Sequence, residues 1–194
     1  MNPANPPLVN ELDRGLVYSD AEKAARRALG LPSCEPAPTS LLRRLPKNRP
    51  VVSKKPISAP DVLNEAPEYG SAFVRGLRVE LPGGVTQLLF SGTASVGASG
   101  ETLYPGDFRA QCWRTFHNLT RLLESEGATW HDMVRTTCYI RDIERDYEAF
   151  NDVRNEFYRS LGLNPLPAST AIQARICRSD LLVEIEAIAI LVRS

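Results

Sequence analysis

The run LLVEIEAIAI, residues 181–190, places Glu184 and Glu186 inside an otherwise apolar stretch. Alternation along a β-strand puts Leu182, Glu184, Glu186, Ile188 and Ile190 on one face, and Val183, Ile185, Ala187 and Ala189 on the other. The second set suits packing against helices, so both carboxylates fall on the far face among isoleucines. A carboxylate there costs several kcal/mol of desolvation unless it is paired or wetted. Such a group tends toward a raised pKa, which suits acid–base work near neutral pH. A structural role is open for each: pairing with an arginine across a subunit interface, which is the preferred reading for Glu184.

The elements around this strand define the domain. SAFVRGLRVEL alternates as a strand, and TQLLFSG is a short apolar run ended by Gly92. DFRAQCWRTFHNLTRLLESEGA spaces Phe108, Cys112, Phe116, Leu119, Leu122 and Leu123 as one helical face, with Asp107 as N-cap and Gly127 beyond the end. MVRTTCYIRD alternates again. ERDYEAFNDVRNEFYRSLG repeats the helical pattern through Tyr147, Phe150, Val153, Phe157 and Leu161, stopping at Gly162. STAIQARIC and LLVEIEAIAILV follow as strands joined by RSD. The order β-β-α-β-α-β-β predicts an α/β two-layer sandwich, a mixed sheet with two helices on one face. The other face then needs a cover, and an oligomer is one way to supply it.

Residues 1–56 differ, holding most of the chain's 15 prolines. Ser19 and Glu22 make a capping box for a short helix that Gly30 can end. The rest reads as an extended arm, and its basic stretch LLRRLPKNRPVVSKK as a solvated linker, since no aromatics interleave the charges. The compact domain is expected over 57–194. The 194 residues are 43% hydrophobic and 24% charged with zero formal net charge, ordinary for a soluble globular chain. Nothing global points to nucleic acid or an anionic membrane as partner. MNPANPPLVNELDR lacks the charge-then-apolar order of a signal peptide, so a cytoplasmic protein is expected. Cys34, Cys112, Cys138 and Cys177 show no CxxC spacing and read as free thiols. With His117 and His131 they form no metal pattern.

LLFSGTAS, GDFRAQCWRTFHNLTRLLESEGATWHDMVRTTCYIRD, YEAFNDV and PASTAIQARICRSDLLVEIEAIAI together resemble the Rid family (reactive intermediate deaminase), also called YjgF-like or L-PSP endoribonuclease. The resemblance covers about residues 57–194. It implies a chorismate-mutase-like fold assembled as a homotrimer, with clefts for a small-molecule substrate between subunits. It also implies cofactor-free hydrolysis of enamines or imines of 2-keto acids. Glu186 matches the glutamate that positions the attacking water, and Asn151 a cleft asparagine. Ser91 and Gly92 would line the pocket, and Phe73 falls where many members have a tyrosine.

One position departs from that pattern. Deaminating members carry an arginine just after the PA that opens the penultimate strand, where it grips the substrate carboxylate. Here the segment is PASTA, which puts Ser169 there and Ala171 where a cysteine is common. Losing a charged hydrogen bond to a carboxylate costs roughly 1.5–3 kcal/mol. Arg175 lies about 20 Å along an extended chain, too far to substitute. Arg75, on the strand face of Phe73, is the better candidate, with a surface charge on an edge strand as its alternative.

Hydrolysis of a different imine or related electrophile is therefore the leading expectation. GDFRAQC, YIRD, ASTA and LLVEIE also resemble the C-terminal domain of chorismatases. There a glutamate at the Glu186 position acts in acid–base chemistry, and Arg75 and Arg141 would be the carboxylate ligands. Chorismatases have two such domains and this chain has room for one. A non-catalytic trimeric ligand binder is the third reading. An endoribonuclease finds no His pair or dense basic face to support it.

Overall fold

The computed structural model describes residues 19–30, 52–65, 68 and 70–192. The chain divides into two units, 1–50 and 51–194. In the first, helix α1 spans Asp20–Ala28. Its first turn closes from Lys23 N to Ser19 O at 3.0 Å, and Gly30, at φ +64°, ends it. The rest of the arm, with Cys34 and most of the basic stretch, lies outside the described residues.

In the second unit the elements are β1 (Ser53–Ile57), β2 (Gly76–Leu81), β3 (Val85–Ala94), α2 (Phe108–Ser125), β4 (Met133–Ile140), α3 (Ile143–Ser160), β5 (Ala168–Gln173) and β6 (Val183–Val192). Three strands, not two, therefore precede the first long helix. The additional strand, SKKPI, lies almost wholly inside the stretch read as arm. Its lysines and proline hide it in the sequence, yet an edge position accepts both, because one side of an edge strand needs no ladder partner. The strand expected from Ser71 begins only at Gly76.

The six strands run in the order β1-β2-β3-β6-β4-β5, all antiparallel except β4 with β5. Placing β6 between β3 and β4 separates it from β5. Both long helices lie on one face, as the patterning requires. Leu88, Phe90, Val183, Ile185, Ala187 and Ala189 are buried there against Phe116, Leu119, Leu122, Phe150 and Val153. Phe116 stacks on Phe157 at 4.7 Å, and the Trp130 ring meets both edge-on, which locks α2 to α3. Asp107 and Asp142 cap the helices by accepting from the backbone N–H of Ala110 and Arg145. Among the described residues no helix is long and apolar enough to cross a membrane.

Two polar side chains of α2 sit in this core for structural reasons. The Gln111 amide donates to the carbonyls of Tyr104 and Asp180 and accepts from the Leu182 N–H, fixing the entry to β6. Asn118 donates to the carbonyls of Ala94 and Val96, both at 2.9 Å, where the chain leaves β3. Both residues are fully buried. Asn118→Leu would leave the buried Val96 carbonyl without its donor at about 1–3 kcal/mol, while Ala94 O keeps the Val96 N–H at 2.8 Å. Urea denaturation should show the variant losing about 1–3 kcal/mol; an unchanged midpoint would mean water replaces the amide.

Candidate active site

Strand β6 carries both glutamates onto the face the helices do not cover. Glu184 is half-buried and Glu186 exposed, while Val183, Ile185, Ala187 and Ala189 are sealed beneath. Across β6, Glu186 pairs with Thr137 and Glu184 with Tyr139 on β4. On the other side the ladder with β3 is broken. Ala187 pairs with Phe90 and Ile185 with Thr93, so Ser91 and Gly92 together face Glu186 alone. This is a β-bulge, a device that re-aims side chains beside functional sites. Its glycine is required: a Cβ on Gly92 would lie 1.8 Å from Glu184 Oε1. Ser91 donates its hydroxyl to the Val74 carbonyl and its N–H to Arg75 O, tying the bulge to the segment before β2.

Electrostatics distinguish the two carboxylates. Burial pushes the Glu184 carboxyl up, Glu186 pushes it further, and Arg75 opposes both. Tyr139 is also raised, by burial and by the nearby carboxylates of Glu186 and Glu184. Neither glutamate has an ion-pair partner within 4.0 Å among the described residues. Each lines its own cavity. Glu186 shares one of about 230 Å³ with Leu89, Arg135, Thr137 and Ile188. Glu184 shares one of about 220 Å³ with Phe73, Arg75, Gly92, Cys177 and Arg178.

The candidates named from sequence thus fall into three groups. Phe73, Arg75 and Gly92 gather around Glu184, with the Arg75 guanidinium 5.5 Å from the centre of the Phe73 ring. Arg75 is not a surface charge on an edge strand: β1 holds that edge, and Arg75 is buried, donating to the carbonyl and side-chain oxygen of Asn64. Glu186 stands apart with Thr137 and Tyr139. Asn151, Ser169 and Ala171 lie on the helix side of the sheet, at its β5 edge. There Ser169 accepts from Thr136 at 3.0 Å and from Arg154 Nη1 at 3.3 Å. Arg154 Nη2 also donates to Asn151 Oδ1 at 2.6 Å. A single chain does not bring Glu186 and Ser169 to one face.

Sequence reasoning missed Tyr139 and Arg154. The signal for Arg154 was present, since it follows Asn151 by three residues and Phe150 by four on one helix. Arg141 is committed to structure, with its guanidinium donating to the carbonyls of Ile176, Arg178 and Leu181. Cys112, Cys138 and Cys177 are free thiols, the first two buried. Among the described residues no cluster of three His, Cys, Asp or Glu side chains could hold a metal ion.

The sequence and the fold match known proteins. The family described as Endoribonuclease L-PSP matches over residues 66–191. The chain belongs to that family, the Rid or YjgF-like proteins. A RutC family protein of Pyrococcus abyssi is 33% identical over 84 residues, 43% of this chain and 62% of the relative. A RutC family protein of Haemophilus influenzae is 32% identical over 104 residues, 53% of this chain and 78% of its own length. A 2-iminobutanoate/2-iminopropanoate deaminase of Dermatophagoides farinae is 29% identical over 101 residues, 52% of this chain and 75% of that one. The crystal structure of the E. coli YjgF gene product superposes with TM-score 0.57 at 26% identity, covering 72% of this chain and 99% of that one.

The Glu184 environment gives stability a pH dependence. Because burial favours the neutral carboxyl, the folded protein keeps this proton above the ordinary value of 4.5. Between the two pKa values the folded state binds more protons, so this contribution is present at low pH and is lost as pH rises from 4.5 through the raised value. Glu184→Gln removes that loss. Melting curves should show the variant gaining on wild type as pH rises through this window and matching it below. Parallel curves would contradict the assignment.

Proposed function

We propose that this Rid-type protein hydrolyses an imine or enamine, or a related small electrophile, with Glu186 positioning the attacking water. The observation that carries the reading is an unpaired carboxylate held opposite a β-bulge. Glu186 stands on the strand next to Tyr139, and no cation lies within 4.0 Å of it among the described residues. A carboxylate so placed can order a water and take its proton as the oxygen adds to the imine carbon. The carbon–nitrogen bond then breaks, the nitrogen leaves as ammonia with the protons it has gained, and a carbonyl remains. The resemblance to a protein named as a 2-iminobutanoate/2-iminopropanoate deaminase supports this reaction class.

The cleft belongs between subunits of a homotrimer in this reading. Glu186 and the Asn151–Ser169 group occupy opposite faces of one sheet, so they can share a ligand only across a subunit boundary. The uncovered face also carries exposed apolar side chains, with Ile190 41% and Val192 75% accessible. Burying them would stabilise an oligomer. The chorismatase-like alternative is weakened, because Arg141 is spent on backbone carbonyls.

Two measurements test this reading. Light scattering should give three times the chain mass, and a monomer would remove the shared cleft. Imines generated in situ by an amino-acid oxidase should release ammonia faster with the protein present. Glu186→Gln should lower that acceleration about 100-fold or more. Equal rates with and without wild type would leave a ligand-binding role in place of catalysis.

A further inference from the structure

The Arg154 guanidinium is anchored but its charge is not neutralised. Nη2 donates to Asn151 Oδ1, Nη1 donates to Ser169 Oγ, and the guanidinium carbon lies 5.1 Å from the centre of the Phe150 ring. All three partners are neutral. No carboxylate lies within 4.0 Å of it among the described residues, whereas Arg78, Arg109, Arg121 and Arg145 each have one. A guanidinium has five N–H donors in a planar fork, so donors remain after the Asn151 and Ser169 bonds. The side chain is also half-buried, which keeps water from fully screening the charge.

Its surroundings are built for this placement. Phe150 is fully buried in the core, so the ring under the guanidinium is immobile. Thr136, also fully buried, donates to Ser169 from the neighbouring strand and fixes the hydroxyl. Asn151 shares the helix one turn before Arg154, so the amide and the guanidinium move as one unit. These contacts hold one face and part of one edge of the fork, at the exposed margin of β5.

We propose that Arg154 is an anion anchor that takes the carboxylate of a small organic acid, positioned for it by Asn151, Ser169 and Phe150. A planar fork matches a carboxylate with two parallel hydrogen bonds. Arg154 is the one cation bonded into this cluster among the described residues, which suits a monoanion better than a phosphate. Ser169 acts here as a positioning residue: a small hydroxyl leaves room for a guanidinium arriving from the helix. The proposal deepens the hydrolase reading by making its substrate acidic, and it rests on that reading only in the choice of a keto acid as probe.

The test uses binding, so it stands apart from turnover. Pyruvate and its neutral amide, pyruvamide, would be titrated into full-length 15N-labelled protein, following the arginine Nε–H signals. The Arg154 signal would be assigned by its absence in Arg154→Lys. Pyruvate should shift that signal and pyruvamide should not. Arg154→Met should weaken pyruvate binding about 10- to 100-fold, with Arg154→Lys between the two. Phosphate should bind more weakly than pyruvate.

Equal pyruvate affinity in wild type and both variants would overturn the proposal. So would an Arg154→Met protein that loses its assembly while Arg154→Lys keeps both assembly and full affinity, because Arg154 would then serve the interface. Pyruvate binding at Arg154 without ammonia release would leave the anchor standing and remove the hydrolase. Ammonia release that ignores Arg154→Met would do the reverse.

Discussion

Alternation along β6 assigns every second residue to a face that two helices seal and the others to the face those helices leave open. Five apolar side chains of this one strand, Val183, Ile185, Ala187, Ala189 and Leu191, anchor the sheet to the helix layer. That anchoring leaves the intervening positions no choice of face, because a slip of one residue would drive both glutamates into the core. Apolar burial, not any interaction of the carboxylates, therefore holds Glu184 and Glu186 where they are.

The same logic operates at a second scale in α2. Its apolar stripe packs on the sheet, and its two buried amides occupy the few backbone groups that the strand ladders cannot satisfy. Gln111 serves the entry to β6 and Asn118 the exit from β3. These amides fix the two strands whose junction contains the bulge. The residues that make the chain recognisable as a family member are thus divided in purpose. Gln111, Asn118 and Arg141 hold loops and strand ends, whereas Glu186, opposite the Ser91–Gly92 bulge, holds none.

Much of this was legible in the sequence. The periods of two and 3.6 residues gave both long helices, the Asp107 cap of the first, four of the six strands closely, and the correct face for each residue of β6, while the Asp142 cap of the second helix was missed. Strand β1 was hidden by its polar, proline-containing composition, which only an edge position excuses. The late start of β2 was hidden too: SAFVR alternates like a strand, but Arg75 turns to Asn64 and draws the segment out of the ladder. For the candidate site, sequence gave residue types without their company. Glu184 and Arg75 facing one cavity, and Arg154 reaching across to β5, depend on strand order and helix docking, which no local pattern encodes.

The bulge at Ser91–Gly92 also makes chain length at this point a different matter from residue identity. Removing one of the two residues would restore an unbroken ladder with β6, with Phe90 still opposite Ala187 and Thr93 still opposite Ile185, so the side chains beyond the cut would keep their faces. What would be lost is the doubled residue opposite Glu186 and the local kink it makes, and with Ser91 the tie to the Val74 carbonyl. A substitution at Ser91 alters one group, whereas a deletion there removes the kink itself. The spacing between Phe90 and Thr93 is thus a dimension of the protein that point mutations cannot explore.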